Sequence, residues 1–232
     1  MPARCVTMLG VVLCGTMLAP PSGLRAQELV SFPTRDGGLI FADEYGSGQR
    51  GVVLAHGGRF NKESWAEQAH TLEAAGFRVV AIDFRGYGES RGPGHDDPFT
   101  APLYLDVLAA VTYLRQTGAN TVSVVGASMG GSAAAEAVTA ALPNQIDRLV
   151  LLGSDAGNAP ENLVGRKLFI TTRDDTTASG VPRLVRIRQH YDQAPRPKEL
   201  VVLDGAAHAQ FIFQTEQGER LMRQLIRFLS EP

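Results

Sequence analysis

The chain has 232 residues, of which 44% are hydrophobic and 20% are charged, and its formal net charge is −2. This composition is sufficient for one sizeable core and excludes a disordered, collagen-like or coiled-coil chain. The near-neutral charge, with no basic stripe carrying interleaved aromatic residues, argues against a nucleic-acid partner. We therefore expect one folded domain.

The first 26 residues differ from the rest of the chain. Arg4 precedes a run from Cys5 to Ala19 that is almost wholly apolar or small, and Pro20-Pro21 and Leu24-Arg25-Ala26 follow it. This pattern predicts a secretory signal peptide over residues 1–26, with export to a bacterial periplasm or the external medium. Residues 27–232 are then the folded domain, with no stable membrane association once the leader is cleaved.

Two alternatives for this leader stay open. One is an uncleaved anchor, although the apolar run is short for a membrane span. The other is lipid attachment at Cys14, which the bulky Leu13 before it disfavours. The chain has two cysteines, Cys5 and Cys14, and both lie in the leader. The mature domain is therefore predicted to have neither a disulfide nor a thiol nucleophile.

From residue 27 onward, predicted strands alternate with predicted helices. Leu29–Phe32 and Leu39–Glu44 flank a turn rich in Asp and Gly and are expected to pair antiparallel. Gly51–Ala55 and Phe77–Ile82 are apolar runs typical of strands buried on both faces. Further strands are predicted at Val122–Val125, Leu149–Leu152, Lys167–Thr172 and Glu199–Leu203. Helices are predicted from residue spacing or composition, and they end at Ala75, Thr117, Leu142, Tyr191 and Leu229. The first of these helices is predicted to begin at Ser64, with Glu67 completing a capping box.

This alternation predicts an α/β fold with a mostly parallel sheet that is covered by helices on both faces. The stretch from Gly153 to Gly165 is short and polar, so no cap domain is expected there. Right-handed crossovers bring the carboxyl ends of the parallel strands to one edge of the sheet, which is where ligands bind in open α/β sheets.

The stretch Gly126-Ala127-Ser128-Met129-Gly130 lies between a predicted strand and a small-residue helix. A sharp strand-turn-helix connection needs residues without side chains two positions before and after the serine, and Gly126 and Gly130 meet that need. The pattern predicts that Ser128 is a nucleophile. Because a hydroxyl needs a base to take its proton, the rest of the chain must supply one.

His208 follows the last predicted strand in a loop of small residues, and we assign it as the base. The acid that orients it is expected after a strand between Ser128 and His208. Asp174 is preferred because it lies at the first predicted turn position after Thr172, while Asp175 and Asp155 remain alternatives. The backbone N–H groups of Gly58 and Met129 are predicted to form the oxyanion hole, and His56 is expected to be structural.

These motifs resemble the α/β-hydrolase family over essentially all of residues 27–232. The resemblance rests on His56-Gly57-Gly58 with Trp65 beyond it, on Asp83-x-Arg85-Gly86-x-Gly88-x-Ser90, and on the segment around Ser128. It implies a single-domain, eight-stranded, mostly parallel sheet and hydrolysis through an acyl-serine intermediate. The chain is most similar to small esterase or dienelactone-hydrolase-like members without a lid.

The sequence therefore predicts a serine hydrolase of the carboxylesterase type that cleaves ester or thioester bonds of small, accessible substrates with Ser128, His208 and Asp174. No cofactor is expected, because phosphate-binding Gly-rich motifs are absent, and the adjacent residues His95-Asp96-Asp97 do not form a convincing metal site. Two alternatives remain: a peptidase or amidase with the same triad, and a binding protein that has lost the chemistry.

Overall fold

The computed structural model describes residues 27–98 and 100–231, so the predicted leader lies outside the described residues. One eight-stranded sheet forms the centre of the domain. Its strands are β1 (Glu28–Pro33), β2 (Leu39–Tyr45), β3 (Arg50–Ala55), β4 (Phe77–Ile82), β5 (Thr121–Ala127), β6 (Arg148–Leu152), β7 (Arg166–Thr172) and β8 (Lys198–Leu203).

The spatial order of the strands is β1-β2-β4-β3-β5-β6-β7-β8. Strand β2 pairs antiparallel with both β1 and β4, and every other pairing is parallel. In the central register, Leu54 of β3 lies opposite Ala81 of β4 on one side and Val125 of β5 on the other. These interior strands are buried on both faces, which explains why they are continuous apolar runs in the sequence.

Five helices cover the two faces of the sheet, and their bounds are α1 (Ala66–Ala74), α2 (Tyr104–Gln116), α3 (Met129–Ala140), α4 (Arg183–Gln193) and α5 (Gly218–Ser230). Helices α2, α3 and α4 contribute to the core on one face, and α1 and α5 contribute to the core on the other. On α5, Leu221, Leu225 and Phe228 recur at helical spacing and are at most 1% exposed. Burial of each such side chain contributes about 1.5–3 kcal/mol.

The predicted fold class is confirmed: the chain forms a single α/β domain with helices on both faces of a mostly parallel sheet. Between β6 and β7 the described chain contains only a 3₁₀ turn at Pro160–Asn162, and therefore no cap domain. The predicted helix start at Ser64 is wrong. Asn61 is the capping residue of a 3₁₀ turn over Lys62–Trp65, and its side chain accepts a hydrogen bond from the Ser64 N–H.

Within residues 27–98 and 100–231, no helix is both long enough and apolar enough to cross a membrane.

Candidate active site

The chain leaves the parallel strands at one edge of the sheet, and the candidate site lies there. Ser128 follows β5, Asp175 lies three residues beyond the end of β7, and His208 lies five residues beyond the end of β8. The loop that begins at His56 follows β3, which is next to β5 in the sheet. Residues far apart in the sequence are therefore brought together because parallel strands end on the same side.

Ser128 sits on a strained turn. Its φ of 50° and ψ of −115° place a residue with a side chain in a region that favours glycine. A Cβ on Gly126 would lie 2.3 Å from the Gly130 carbonyl oxygen, and a Cβ on Gly130 would lie 2.4 Å from the Ala55 oxygen. Only glycine fits at either position, so the two glycines allow strand β5 and helix α3 to meet with Ser128 between them.

Ser128, His208 and Asp175 form a continuous hydrogen-bonded chain. The Ser128 Oγ is 2.8 Å from His208 Nε2, and His208 Nδ1 is 2.7 Å from Asp175 Oδ2. Because an ionised carboxylate can only accept, Nδ1 carries the hydrogen, and Nε2 is left with a lone pair for the serine hydroxyl. The arrangement therefore orients a general base toward a hydroxyl nucleophile.

The structure corrects the choice of acid, because Asp175 rather than Asp174 contacts His208. After β7 ends, the Arg173 N–H still donates to Leu203 and the Asp174 N–H donates to Gly205, so the extended pairing continues for two more residues. Asp174 consequently faces solvent, whereas Asp175 is 1% exposed and points inward. The preference for Asp174 was wrong because the turn comes later than the apolar run suggests.

The two predicted oxyanion donors lie beside Ser128. Gly58 and Met129 line the same cavity as Ser128 and His208. Met129 is the first residue of α3, where backbone N–H groups lack a partner within the helix and the helix dipole favours negative charge. Within the described residues, neither the Gly58 nor the Met129 N–H has a protein acceptor. Both donors are therefore free to bind an oxyanion, which is the role predicted for them.

The sequence motifs do not reveal Gln210 as part of the site. Gln210 is 4% exposed, and its Oε1 accepts a hydrogen bond of 2.7 Å from the Gly57 N–H. Its Nε2 donates to Ser64 Oγ at 2.9 Å. Gln210 lies two residues after His208, and it binds Gly57, the residue before Gly58. It therefore joins the loop after β8 to the loop after β3, and both loops contribute to the site. The only sequence signal was a polar residue in an otherwise apolar stretch.

His56 has the structural role that was expected of it. Its ring is fully buried, Nδ1 is 2.9 Å from the Gly57 carbonyl oxygen, and Nε2 accepts from the Phe84 N–H at 3.3 Å. Burial lowers the pKa of His56 to about 4, which keeps the ring neutral at physiological pH. The imidazole thus links the loop after β3 to the start of the loop after β4.

Ser128 lines two cavities. The larger, of about 510 Å³, is lined by apolar side chains including Phe60, Phe211 and Met129, together with His208. The smaller, of about 330 Å³, shares Ser128 and Met129 with it and extends to Ser132 and Glu136 on α3. Both volumes lie in the range of small-molecule sites. No group of three or more His, Cys, Asp or Glu residues arranged for a metal ion occurs within the part of the chain that the structure describes.

The strand order, the strained serine between two obligatory glycines and the Ser–His–Asp chain together define the α/β-hydrolase fold. A family model described as "alpha/beta hydrolase fold" matches residues 51–186. The chain belongs to this family, which confirms the resemblance drawn from its motifs.

Similarity to individual proteins is more distant. A non-heme haloperoxidase from Rhodococcus erythropolis is 36% identical over 122 residues, which cover 51% of this chain and 42% of the relative. A 2-hydroxy-6-oxononadienedioate/2-hydroxy-6-oxononatrienedioate hydrolase from Burkholderia vietnamiensis is 29% identical over 174 residues, covering 70% of this chain and 57% of the relative. The chain thus spans less than two thirds of the length of each of these two relatives.

Among solved structures, an esterase from Exiguobacterium antarcticum superposes with a TM-score of 0.71 at 17% identity, covering 87% of this chain and 99% of the esterase. At this identity the similarity supports the fold alone. The relatives carry names for different reactions, so the activity of this chain has to be argued from its own site.

Proposed function

We propose that this protein is a serine hydrolase that cleaves carboxylic ester or thioester bonds of small, accessible substrates. The observation that carries the proposal is the hydrogen-bonded chain from Ser128 Oγ through the His208 imidazole to Asp175, with distances of 2.8 and 2.7 Å. An open cavity beside Ser128, in a described chain without a cap domain, supports a substrate that approaches directly from solvent.

In the first half of the reaction, His208 Nε2 takes the proton of Ser128 as Oγ bonds to the ester carbonyl carbon. The resulting oxyanion accepts hydrogen bonds from the Gly58 and Met129 N–H groups. The imidazolium, stabilised by Asp175, then donates its proton to the leaving oxygen as the carbon–oxygen bond breaks. In the second half, a water molecule gives a proton to His208 as its oxygen bonds to the acyl carbon, and the imidazolium then returns this proton to Ser128 Oγ as the acyl–oxygen bond breaks and the acid leaves.

The first test is the intact mass of the purified protein after brief exposure to a fluorophosphonate. We expect one adduct on the wild type, none on Ser128→Ala, and one on Ser132→Ala. Ser132 is a matched control because it is exposed and lines the smaller cavity one turn further along α3. Absence of an adduct on the wild type would favour a binding protein instead.

The second test separates ester from amide cleavage. Butyryl 4-nitrophenol and butyryl 4-nitroanilide present the same acyl group with different leaving atoms. We expect turnover of the ester, lowered by about 10⁴-fold or more in Ser128→Ala, and little turnover of the anilide. Efficient cleavage of the anilide would instead identify an amidase or peptidase.

A further inference from the structure

The larger cavity beside Ser128 is lined by positively charged side chains. Two arginines, Arg59 and Arg183, lie among the described residues that line it, and no Asp or Glu does. Arg59 directly follows the oxyanion donor Gly58 and is exposed. Among residues 27–98 and 100–231, no hydrogen-bond acceptor or ion-pair partner contacts the Arg59 guanidinium. Its charge is therefore available to a ligand.

Arg183 is held at the site by two contacts with Asp175. Its backbone N–H donates to the Asp175 carbonyl oxygen at 2.9 Å, which fixes the start of α4 beside the triad. Its Nε is 3.5 Å from Asp175 Oδ1 and is buried without a hydrogen bond among the described residues. The other Asp175 oxygen is occupied by His208. Because 35% of the Arg183 side chain is exposed, the Arg183 guanidinium can also bind a group in the cavity.

The two cavities differ in how they relate to the base. His208 lines the larger cavity, together with the two arginines, whereas the smaller cavity contains Glu136 and lacks His208 among its lining residues. The leaving oxygen must lie next to His208 Nε2 to receive its proton. The alcohol part of an ester therefore occupies the larger, positively charged cavity, and the acyl part extends toward α3.

We infer that this site selects esters whose alcohol part carries a carboxylate, an inference that rests on the proposed hydrolase function. Guanidinium groups recognise carboxylates through directed, charge-assisted hydrogen bonds, and Arg59 and Arg183 supply them. In the reaction, the acyl group passes to Ser128 Oγ, and the hydroxy acid leaves with the proton from His208. Water then hydrolyses the acyl-serine, so the products are one carboxylic acid and one hydroxy acid.

The test compares 4-acetoxybenzoate with its methyl ester, which has the same acyl group and no charge. The methyl ester has the better phenolate leaving group, so a preference for the acid has to come from binding. We expect kcat/KM to be about 2- to 30-fold higher for 4-acetoxybenzoate, the combined effect expected of two partly exposed charged pairs. The ratio should fall as salt rises from about 50 to about 500 mM.

Variants then assign the preference to the arginines. Arg59→Gln and Arg183→Gln should each lower the ratio of the two kcat/KM values, and the double variant should bring it to about one. The ratio is the readout because damage to the triad through Asp175 would slow both substrates alike. Arg223→Gln, on the exposed surface of α5, is the matched control and should keep the wild-type ratio.

Equal kcat/KM values for both esters in the wild type, or a preference that survives in the double variant, would overturn this inference and leave the hydrolase function standing. Failure of the hydrolase function itself has a different signature. Neither ester would then be turned over, and the fluorophosphonate would leave no adduct on Ser128.

Discussion

Gln210 Oε1 accepts a hydrogen bond from the Gly57 N–H at 2.7 Å, across 153 positions of sequence. This bond joins the loop that carries His208 to the loop that carries Gly58. Because the same amide donates to Ser64 Oγ, which in turn donates to the Asn61 carbonyl oxygen, the loop from His56 to Ser64 is held at both ends. The geometry of the proposed oxyanion hole therefore depends on a side chain that lies outside the triad.

Removal of the Gln210 amide should impair catalysis more than substrate binding. In Gln210→Met the Gly57 N–H loses its buried acceptor and Gly58 is free to move away from the developing oxyanion. We expect kcat for a short acyl ester to fall by about 10- to 100-fold with little change in KM. Gln210→Glu keeps an acceptor for Gly57 and should recover part of this loss.

Gln214→Met is the matched control, since Gln214 is exposed and lies with Gln210 on the 3₁₀ segment Ala209–Gln214. It should retain wild-type kcat. If folded Gln210→Met showed full kcat and only a lower melting temperature, the residue would have a purely structural role.

The neighbouring residues Asp174 and Asp175 should differ sharply in their effect on turnover. Asp175→Asn replaces the carboxylate that fixes the His208 tautomer, so we expect kcat to fall by about 10³- to 10⁴-fold. Asp174→Asn alters an exposed side chain and should stay within about twofold of the wild type. Steady-state kinetics on one ester, with circular dichroism to verify folding, measure both. A large loss in Asp174→Asn with none in Asp175→Asn would contradict the observed geometry.

These two aspartates also show where sequence patterns stop being informative. The nucleophile segment could be located because its requirements are local: a strand, two glycines and a helix within a few residues of Ser128. The sheet could be predicted because buried parallel strands are apolar throughout. The choice of acid instead depends on whether pairing with β8 continues past Thr172, and the hydrogen bond from Asp174 to Gly205 that continues it is a tertiary contact.

Gln210 and Arg183 were missed for the same physical reason. The importance of Gln210 comes from the approach of Gly57, and that of Arg183 comes from its contact with Asp175 and its place in the cavity wall. Neither residue belongs to a local motif or to a periodic pattern. Such residues become visible only when the loops that follow different strands are placed together in space.

The close contact at the nucleophile turn predicts a large cost for an added methyl group. A Cβ on Gly126 would lie 2.3 Å from the Gly130 oxygen and 2.7 Å from the Gly131 Cα, and both are backbone atoms that cannot rotate away. We expect Gly126→Ala to lower the free energy of unfolding by about 3 kcal/mol or more and to reduce turnover. Urea denaturation measures the first effect.

Gly157→Ala is the control for the conformational part of this cost. Gly157 has a φ of 70° and no heavy atom within 4 Å of a built Cβ. Gly157→Ala should lower the free energy of unfolding by only about 1 kcal/mol, because it adds backbone strain and no steric clash. Similar losses in both variants would show that the turn can relax and that the contact between β5 and α3 is less restrictive than it appears in the structure.

The buried imidazole of His56 should make the fold sensitive to mild acid. Its pKa is lowered to about 4 by burial, whereas a histidine in the unfolded chain titrates near 6.5. Between these values the unfolded chain binds a proton that native His56 does not. The contribution of His56 to the free energy of unfolding is therefore complete above about pH 6.5. It is lost as pH falls toward about 4, and the total loss is about 3 kcal/mol.

Urea denaturation at several pH values between about 7 and 4 measures this slope. His56→Asn removes the titrating group, so its free energy of unfolding should depend less on pH by about 3 kcal/mol over the same interval, even if the variant is less stable at neutral pH. The same acid dependence in His56→Asn and the wild type would show that another group causes it. A weaker dependence of the free energy of unfolding on pH in His56→Asn would identify the His56 imidazole, which links the loops after β3 and β4, as the acid-sensitive element.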